Sequence, residues 1–240
     1  MYMRVDFCVP VYNEEAIFNA NAERIWQFLA GSQHDYEWNL VFIVNGSSRS
    51  FEKQVQTFTD NAHPETVCYI ISEGGKGRAI KSYFNISQAD ILVYMDIDLA
   101  VSLVSLPDLI NPIIHDEADL VFGSRMLPGS FKSRSAAREL SSRAYLVFSR
   151  LLLKHQFSDL QCGFKAIRRS AWQKLSPLIR NNAWFFDTEL IYYAQQQKMR
   201  LKEIPIDWSE NRYSHRHSKV NLLVDGWKFI VETIALRRRG

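Results

Sequence analysis

The sequence predicts an α/β fold, with a mostly parallel sheet covered by helices on both faces. Two observations support this prediction. Short apolar runs that predict buried strands alternate five times with segments of helical periodicity between residues 4 and 122. Polar or glycine-containing turns follow these runs, as is typical of the edge at which parallel strands end. Because no repeat or linker divides the chain, we expect one large domain over residues 1–220, followed by a C-terminal amphipathic, basic helix over 221–240.

The composition is that of an ordinary globular protein, with 47% hydrophobic and 23% charged residues. A net charge of +3 is too small to indicate a nucleic-acid partner. The three cysteines are widely separated and form no CxxC or Cys/His pattern, which favours reduced, cytoplasmic surroundings over zinc or disulfides. No window approaches the roughly 18 consecutive apolar residues of a spanning helix, and the first apolar run is too short for a signal peptide.

The first two strands are predicted at Arg4–Val11 and Leu40–Val44. Between them, Asn13 precedes a helix near residues 17–29 and is suited either to cap that helix or to stand beside a ligand at the strand end. The second strand leads into Asn45–Ser48, whose small residues allow the backbone to approach a ligand closely. Both turns are therefore candidate parts of a binding site.

A third strand, Thr66–Ile71, follows a helix at about 51–59 and leads into a glycine-rich turn, Gly74–Gly77. The lysine in this turn, Lys76, stands just before a helix predicted over about 78–86, where backbone amides and a cation suit an anion. The turn lacks the Walker A pattern of nucleotide-binding loops. A flexible turn with a solvated lysine is the alternative interpretation.

The central strand, Ile91–Met95, is followed by two carboxylates one residue apart, Asp96 and Asp98. Side chains alternate in direction along a strand, so both carboxylates should point to one side while Ile97 turns back to pack. Two hard oxygen ligands suit Mg²⁺ or Mn²⁺ bound to substrate phosphates, although a turn or helix cap uses the same residue types. The next strand ends close to Arg125, which should reach the same edge of the sheet.

Two helices in the second half of the chain carry apolar stripes beside basic residues. They are predicted at about 138–154 and 221–236. Their basic residues include Arg143, Arg150, Lys154 and, just beyond the last helix, Arg237–Arg239. The apolar face of the last helix would consist of Leu223, Trp227, Ile230 and Ile234. This combination is typical of helices that bind an anionic membrane surface. For the first of the two, a helix that simply packs on the core is the alternative.

A second acid pair, Asp187 and Glu189, opens a helix that follows a short strand after Gly163. The pair is suited either to the positive end of the helix dipole or to an acid site close to the first pair. A strand at Leu201–Ile206 comes next, and then a polar loop over 208–219 with two histidines and three cations in eight residues. These cations suit phosphate groups, and a solvated loop explains them nearly as well.

Seven stretches, taken together and in order, resemble the family 2 glycosyltransferases with a GT-A (Rossmann-like) fold. Within that family they are most similar to enzymes that glycosylate a polyprenyl phosphate, close to the dolichyl-phosphate β-glucosyltransferase group. The resemblance covers the chain from about residue 5 to 220. The matching stretches are Val9–Glu15, Gly75–Ala79, Met95–Ala100 with its DxD motif, Gly123–Arg125, Gln161–Lys165, Phe186–Leu190 and Ser218–Lys219.

The resemblance implies a donor site for a nucleotide sugar and a divalent ion. Asp98 would hold Mg²⁺ or Mn²⁺ on the diphosphate, and Asp96 would contact the nucleotide sugar or the ion. Asn45 stands where the family usually has an aspartate, so it would offer an amide to the base or ribose. A UDP-sugar is the first expected donor and GDP-mannose the second. The residues expected to line the nucleotide pocket are Pro10, Tyr12, Glu14, Asn45 and Lys76.

The resemblance also implies an acceptor site. Gln161, with the turn at Gly163, would border the donor sugar, and Asp187 and Glu189 would face the same cavity. A phosphate acceptor is largely ionised at neutral pH and needs little general base, whereas a sugar hydroxyl would need Asp187 or Glu189 as its base. The cations expected near the acceptor phosphate are Arg125, Arg138, Arg143 and Lys219.

The resulting hypothesis is an inverting, metal-dependent transfer of a hexose from a nucleotide sugar to a polyprenyl phosphate. We expect a peripheral enzyme at the cytoplasmic (inner) face of an anionic membrane. Two alternatives remain open. One is a family 2 enzyme acting on a soluble or polysaccharide hydroxyl, and the other is a nucleotide-sugar or lipid-phosphate binding protein without catalysis.

Overall fold

The computed structural model describes residues 2–61, 63–133, 136–209 and 222–239, without the side chains of 131–133, 136–141 and 222–225. Within these residues the strands are β1 (Met3–Val11), β2 (Tyr36–Asn45), β3 (Thr66–Ile71), β4 (Ile91–Tyr94), β5 (Leu120–Ser124), β6 (Phe131–Ser133), β7 (Lys165–Arg168), β8 (Leu201–Pro205) and β9 (Asp207–Ser209). The described strands form a seven-stranded sheet in the order β3-β2-β1-β4-β7-β5-β8 and a separate β6-β9 ribbon.

The main sheet is mostly parallel. β1 pairs in parallel with β2 and β4, and β5 pairs in parallel with β8. The exception is β7, which runs antiparallel between β4 and β5. In this register Val11 is level with Val44, and Cys8 is level with Tyr94. The carboxyl ends of β1, β2 and β4 therefore meet at one edge, where parallel sheets bind ligands.

Helices cover both faces of this sheet. In the described residues they are α1 (Glu15–Gly31), α2 (Arg49–Asp60), α3 (Lys76–Phe84), α4 (Leu106–Ile114), α5 (Ala136–Leu153), α6 (Arg169–Leu175), α7 (Phe186–Gln196) and α8 (Leu222–Arg239), with a 3₁₀ turn at Leu103–Ser105. Alternate residues of β1 enter opposite apolar layers. Phe7 and Val9 pack with α1, α2 and α4, whereas Cys8 packs on the side of α3, α6 and α7. This alternation follows from the two-residue period of a strand.

Aromatic side chains fill both layers. On one face the ring of Phe18 meets those of Phe42 and Phe51 edge-on at 5.0 and 5.5 Å. On the other, Phe84 meets Trp172 edge-on at 5.2 Å. Each such side chain stabilises the fold by about 1.5–3 kcal/mol when fully buried. The two layers fix β1 and β4, and so the turns that follow them.

The predicted fold class is confirmed, and the predicted strands and helices correspond to β1–β5, β7, β8, α1–α5, α7 and α8. Helix α6, the β6-β9 ribbon and the 3₁₀ turn were not predicted, because each has seven residues or fewer and gives little periodicity. Residues 208 and 209, at the start of the predicted polar loop, belong to β9. The rest of that loop, with Lys219, lies outside the described residues.

The C-terminal helix α8 packs against α5. Thr233 and Leu236 are fully buried, and the ring of Phe229 lies 5.6 Å from that of Tyr145. Of the predicted apolar face, Trp227 and Ile234 are instead exposed, by 67% and 37%. Among the helices that the structure describes, none has the length and apolar character needed to cross a membrane.

Candidate active site

The ends of β1 and β2 are joined by side-chain hydrogen bonds. Asn13, at φ 48°, accepts a hydrogen bond at Oδ1 from the backbone amide of Ser48, at 2.8 Å. Its own backbone amide donates to Ser47 Oγ at 3.3 Å. Asn13 therefore connects two turns rather than capping α1, whose N-cap position is Glu14. The predicted pocket residues Pro10, Tyr12 and Glu14 surround this junction, with Tyr12 46% exposed.

Asn45 corrects the expectation that its amide meets a base or ribose. Its side chain is 4% exposed, and Nδ2 donates to the carbonyl of Val11 at 2.8 Å. Its Oδ1 accepts from the amide of Gly75 at 3.0 Å. Asn45 thus ties the end of β1 to the glycine-rich turn. An aspartate cannot make both bonds, because a carboxylate has no hydrogen to donate to a carbonyl.

Lys76 occupies the centre of the site. Its Nζ lies 2.7 Å from Asp96 Oδ1 and 4.0 Å from Asp187 Oδ2, and its side chain is only 9% exposed. Burial alone would lower the pKa of Lys76, but Asp96 and then Asp187 more than offset this and raise it above its ordinary value. The lysine is therefore a fixed, charged group, and the solvated-lysine interpretation is wrong.

The two carboxylates after β4 stand in the predicted relation to the sheet. Ile97 is buried, whereas Asp96 and Asp98 are partly exposed. Asp98 Oδ1 accepts a bond from the amide of Ala100 at 3.1 Å, which holds the turn containing Leu99 at φ 51°. Both carboxylates therefore sit on a loop that backbone and side-chain contacts hold in place.

These residues fit a divalent ion that takes most of its ligands from a substrate. The described residues contain no group of three or more Asp, Glu, His or Cys side chains able to enclose an ion. Mg²⁺ and Mn²⁺ are often held by one or two carboxylates plus phosphate oxygens and water. Of the two carboxylates, Asp96 is the one that pairs with Lys76.

Asp187 lies beside the first acid pair, which is one of the two interpretations that the sequence left open. Its Oδ1 accepts bonds from Tyr94 Oη and, at 2.6 Å, from Lys165 Nζ. Lys165 is completely buried and also donates to the carbonyls of Leu160 and Cys162. Burial, and next the charge of Asp187, raise the pKa of Tyr94. One oxygen of Asp187 is therefore held by Tyr94 and Lys165, and the other lies 4.0 Å from Lys76 Nζ.

Glu189 corrects the prediction that it faces the same cavity. It is completely buried, and its Oε2 accepts from the amides of Arg180 and Asn181 at 2.8 and 2.7 Å. Its Oε1 pairs with Arg239 of α8 at 2.7 Å. Since four residues separate equivalent positions on a helix, Glu189 points away from the direction that Asp187 takes two residues earlier.

Arg125 is held by a buried carboxylate that the sequence did not indicate. Its Nε and Nη2 donate to Asp159 at 2.6 and 2.9 Å, in a bidentate pair. Burial alone would raise the pKa of Asp159, but the guanidinium lowers it below the ordinary value. Next along the chain, the backbone amide of Gln161 donates to Asp159. The side-chain nitrogen of Gln161, Nε2, is buried and has no hydrogen-bond partner among the described residues.

Of the remaining predicted acceptor residues, the structure describes the side chain of Arg143 alone. Arg143 lies exposed on α5. The side chain of Arg138 and the whole of Lys219 lie outside the described residues. Their assignment to an acceptor phosphate stays a prediction.

Four residues of the site were missed from the sequence, and one carried a signal. Lys165 interrupts an apolar strand, and a lysine at such a position is rarely buried without a paired charge. Trp184 gave no such signal, because its placement 5.5 Å from Lys76 Nζ depends on a loop. Its indole is 49% exposed and forms part of the wall beside the lysine. The other two are Tyr94 and Asp159.

A family model described as Glycosyl transferase family 2 matches residues 6–176. Glycosyltransferase AglD of Haloferax volcanii is 39% identical over 134 residues, which is 56% of this chain and 22% of that protein. Dolichyl-phosphate beta-glucosyltransferase ALG5C of Trichomonas vaginalis is 28% identical over 215 residues, 85% of this chain and 63% of that protein. The chain thus spans less than two thirds of the length of either relative.

A third relative is similar along nearly its whole length. The UDP-N-acetylglucosamine–dolichyl-phosphate N-acetylglucosaminyltransferase of Methanococcus voltae is 24% identical over 246 residues, 95% of this chain and 94% of that protein. Among solved structures, glucosyl-3-phosphoglycerate synthase from Mycobacterium tuberculosis in complex with UDP has a TM-score of 0.68 at 17% identity, over 98% of this chain and 80% of that one. At this identity the likeness establishes the fold alone.

Proposed function

The chain belongs to glycosyl transferase family 2, and from this we propose that it transfers a hexose from a nucleotide sugar to a polyprenyl phosphate. Support comes from the site at the carboxyl edge of β4, where Lys76 of the glycine-rich turn pairs with Asp96, two residues before Asp98. Relatives named for dolichyl-phosphate transfer support the lipid acceptor.

The choice of acceptor rests on one observation, the burial and hydrogen bonding of Asp187 and Glu189, the two candidate general bases. A hydroxyl acceptor must lose a proton during attack, so it needs a free base. Asp187 is buried and its Oδ1 accepts from Tyr94 and Lys165, and Glu189 is buried against two amides and Arg239. A phosphate monoester, with a second pKa of about 6, is already largely ionised at neutral pH and needs neither residue.

The proposed reaction is a single inverting displacement. A phosphate oxygen of the lipid forms a bond to the anomeric carbon of the hexose, while the bond from that carbon to the nucleotide diphosphate breaks and its electron pair stays on the diphosphate. Lys76 would stabilise this developing charge, since its ammonium is fixed in place before the reaction. A divalent ion held by Asp98 would supply further charge stabilisation when bound.

The donor in this proposal is a UDP-sugar, with GDP-mannose as the second choice. The Methanococcus voltae relative is named for UDP-N-acetylglucosamine. The Mycobacterium tuberculosis synthase, which is similar in fold, forms a complex with Mn²⁺ and UDP. The pocket would be formed by the junction of the β1 and β2 turns, with the half-exposed Tyr12 at its surface and Lys76 at its base.

We further propose that α5 and α8 form the surface that meets an anionic membrane. Both helices expose large apolar side chains, including Leu151 at 77% and Trp227 at 67%. Exposed basic residues border them, namely Arg143, Arg150, Lys154, Arg237 and Arg238. Apolar groups beside cations suit a lipid interface with acidic headgroups. The acceptor lipid would reach the site from this side, at the cytoplasmic face.

The membrane proposal is tested by sedimentation with vesicles of neutral or partly anionic lipid. Binding should require the anionic lipid and weaken as salt is raised. Replacing Leu151 by Asp should reduce it, whereas replacing Val67, exposed on β3 at 38%, by Asp should not. A dimer that buries Leu151 in solution, with no vesicle binding, would contradict the membrane role.

The catalytic proposal is tested by transfer assays with UDP- and GDP-sugars, a short polyprenyl phosphate, and Mg²⁺ or Mn²⁺. A metal-dependent glycosyl phospholipid should form. Asp98→Ala should reduce its formation about 100-fold or more, while Asp60→Ala, which removes an exposed carboxylate at the end of α2, should not. Donor binding without lipid transfer would favour a soluble acceptor, and no donor binding would favour a non-catalytic protein.

A further inference from the structure

The C-terminal helix α8 contacts the elements that carry the site at three points. The ring of Phe229 lies 5.8 Å from that of Phe185, just before α7. Thr233 Oγ1 lies 3.1 Å from Tyr145 Oη, which Gln161 and Thr188 also approach. Arg239 forms the third contact, the 2.7 Å ion pair with Glu189.

The pair with Arg239 matters because Glu189 also fixes a loop. Its Oε2 accepts from two successive amides, those of Arg180 and Asn181. A completely buried carboxylate is costly unless paired, and among the described residues Arg239 forms an ion pair with it. The position of residues 180–183 therefore depends on a residue at the far end of α8.

This loop in turn packs tightly on the first turn of α3. The amide of Arg78 donates to the carbonyl of Asn182 at 3.0 Å. A Cβ added to Gly77 would lie 2.6 Å from Phe186 Cβ and 2.9 Å from the carbonyl oxygen of Asn181, and one added to Gly75 would collide with Asn182. Lys76 stands between these two glycines, so a shift of the loop moves the lysine against Asp96.

We propose that Glu189 and Arg239 are positioning residues through which α8 holds Lys76 in its donor-binding place. The path runs from Arg239 to Glu189, to the amides of Arg180 and Asn181, and then through backbone contacts to the start of α3. The inference rests on the proposed function, because it assumes that Lys76 binds the diphosphate. Through these contacts α8, a helix of the proposed membrane surface, directly influences the affinity for the donor.

The test is the dissociation constant for UDP, with Mn²⁺ and without lipid, in three variants of the full chain. Arg239→Ala should weaken UDP binding about tenfold, because a displacement of about 1 Å in a positioned charge has effects of this order or larger. Arg239→Lys should restore affinity to within about twofold, since it retains a cation for Glu189. Arg238→Ala removes the same charge from an exposed neighbour, so it should leave UDP affinity unchanged.

Vesicle binding separates this role from a contribution to the membrane surface. Arg238→Ala should reduce binding to anionic vesicles, whereas Arg239→Ala should reduce it less, because the charge of Arg239 is already paired with Glu189. Only the second should change UDP affinity. Equal UDP affinity in the two alanine variants would overturn the inference, and a wild-type protein that binds neither UDP nor GDP would overturn the proposed function itself.

A double variant keeps the test valid if Arg239→Ala fails to fold. Glu189→Gln with Arg239→Ala leaves no buried charge unpaired and retains an acceptor for the amides of Arg180 and Asn181. It should fold and still bind UDP more weakly, because α8 no longer reaches the loop. Wild-type affinity in this double variant would show that the ion pair supports folding alone.

Discussion

The charged residues of the site neutralise one another before any ligand arrives. Lys76 and Lys165 are matched by Asp96 and Asp187, with ion-pair distances of 2.7 Å for the first pair and 2.6 Å for the second. Buried charges survive in a folded protein only when they are paired and hydrogen-bonded in this way. Such fixed charges require little rearrangement when negative charge develops on a leaving group.

Asn45 provides a prediction at the scale of one atom. Asn45→Asp replaces an NH₂ that donates to Val11 with an oxygen that faces the same carbonyl. The free energy of unfolding, measured in urea, should fall by about 1–3 kcal/mol, because the carbonyl loses its donor and meets a like partial charge.

A matched control for this variant exists on the surface. Asn19 is exposed, and its Oδ1 accepts a bond from Gln54, which an aspartate can still do. Asn19→Asp should therefore change the free energy of unfolding by no more than about 0.5 kcal/mol. Equal effects of the two substitutions would contradict the role assigned to the Asn45 amide.

The buried His155 should make the free energy of unfolding depend on pH. Burial, reinforced by Arg150, lowers the pKa of His155 to about 4, against about 6.5 in an unfolded chain. As pH falls below about 6.5 the unfolded state takes up the proton first, so stability present at neutral pH declines down to about pH 4. Between pH 7 and 5 this residue should account for a loss of about 1 kcal/mol.

The measurement compares urea unfolding at pH 7 and pH 5 in wild type and His155→Gln. The variant should lose about 1 kcal/mol less than wild type over this interval. The account of His155 would be wrong if its variant and wild type showed the same dependence on pH.

At the scale of elements, the sequence predicted the strands and turns of the site but not the partners of each side chain. The end of β4 and its two carboxylates were predictable because strand periodicity is local. Glu189 was assigned to the cavity because the stretch Phe186–Leu190 resembles an acidic motif of the family. Its actual partners lie 8, 9 and 50 residues away, and no local pattern specifies contacts over the longest of these distances.

Gly163 tests how closely the elements must approach. A Cβ added at this position would collide with the carboxylate of Asp96 and the ammonium of Lys76. Gly163→Ala should therefore separate the pair and weaken UDP binding about tenfold or more. Gly31→Ala is the control, since a Cβ there meets nothing within 4 Å. Unchanged UDP affinity in Gly163→Ala would show that the two loops can move apart without cost to the site.

At the scale of the whole molecule, the two faces of the α5–α8 pair have different roles. One face packs inward through Tyr145, Thr233 and Leu236, and reaches the site through Arg239. The other exposes Val147, Leu151, Trp227 and Val231. The sequence predicted both helices and their basic residues. It did not predict which apolar residues face outward, because this depends on where each helix packs.

The identity of the acceptor atom is the central claim, and competition between two lipids tests it most directly. A labelled UDP-hexose is supplied with equal amounts of a short polyprenyl phosphate and the corresponding polyprenol, and the labelled products are separated. Because Asp187 and Glu189, the two carboxylates predicted as bases for a hydroxyl, are buried and hydrogen-bonded, the label should enter the phosphate lipid alone, as a phosphodiester. Comparable labelling of the polyprenol would contradict the account.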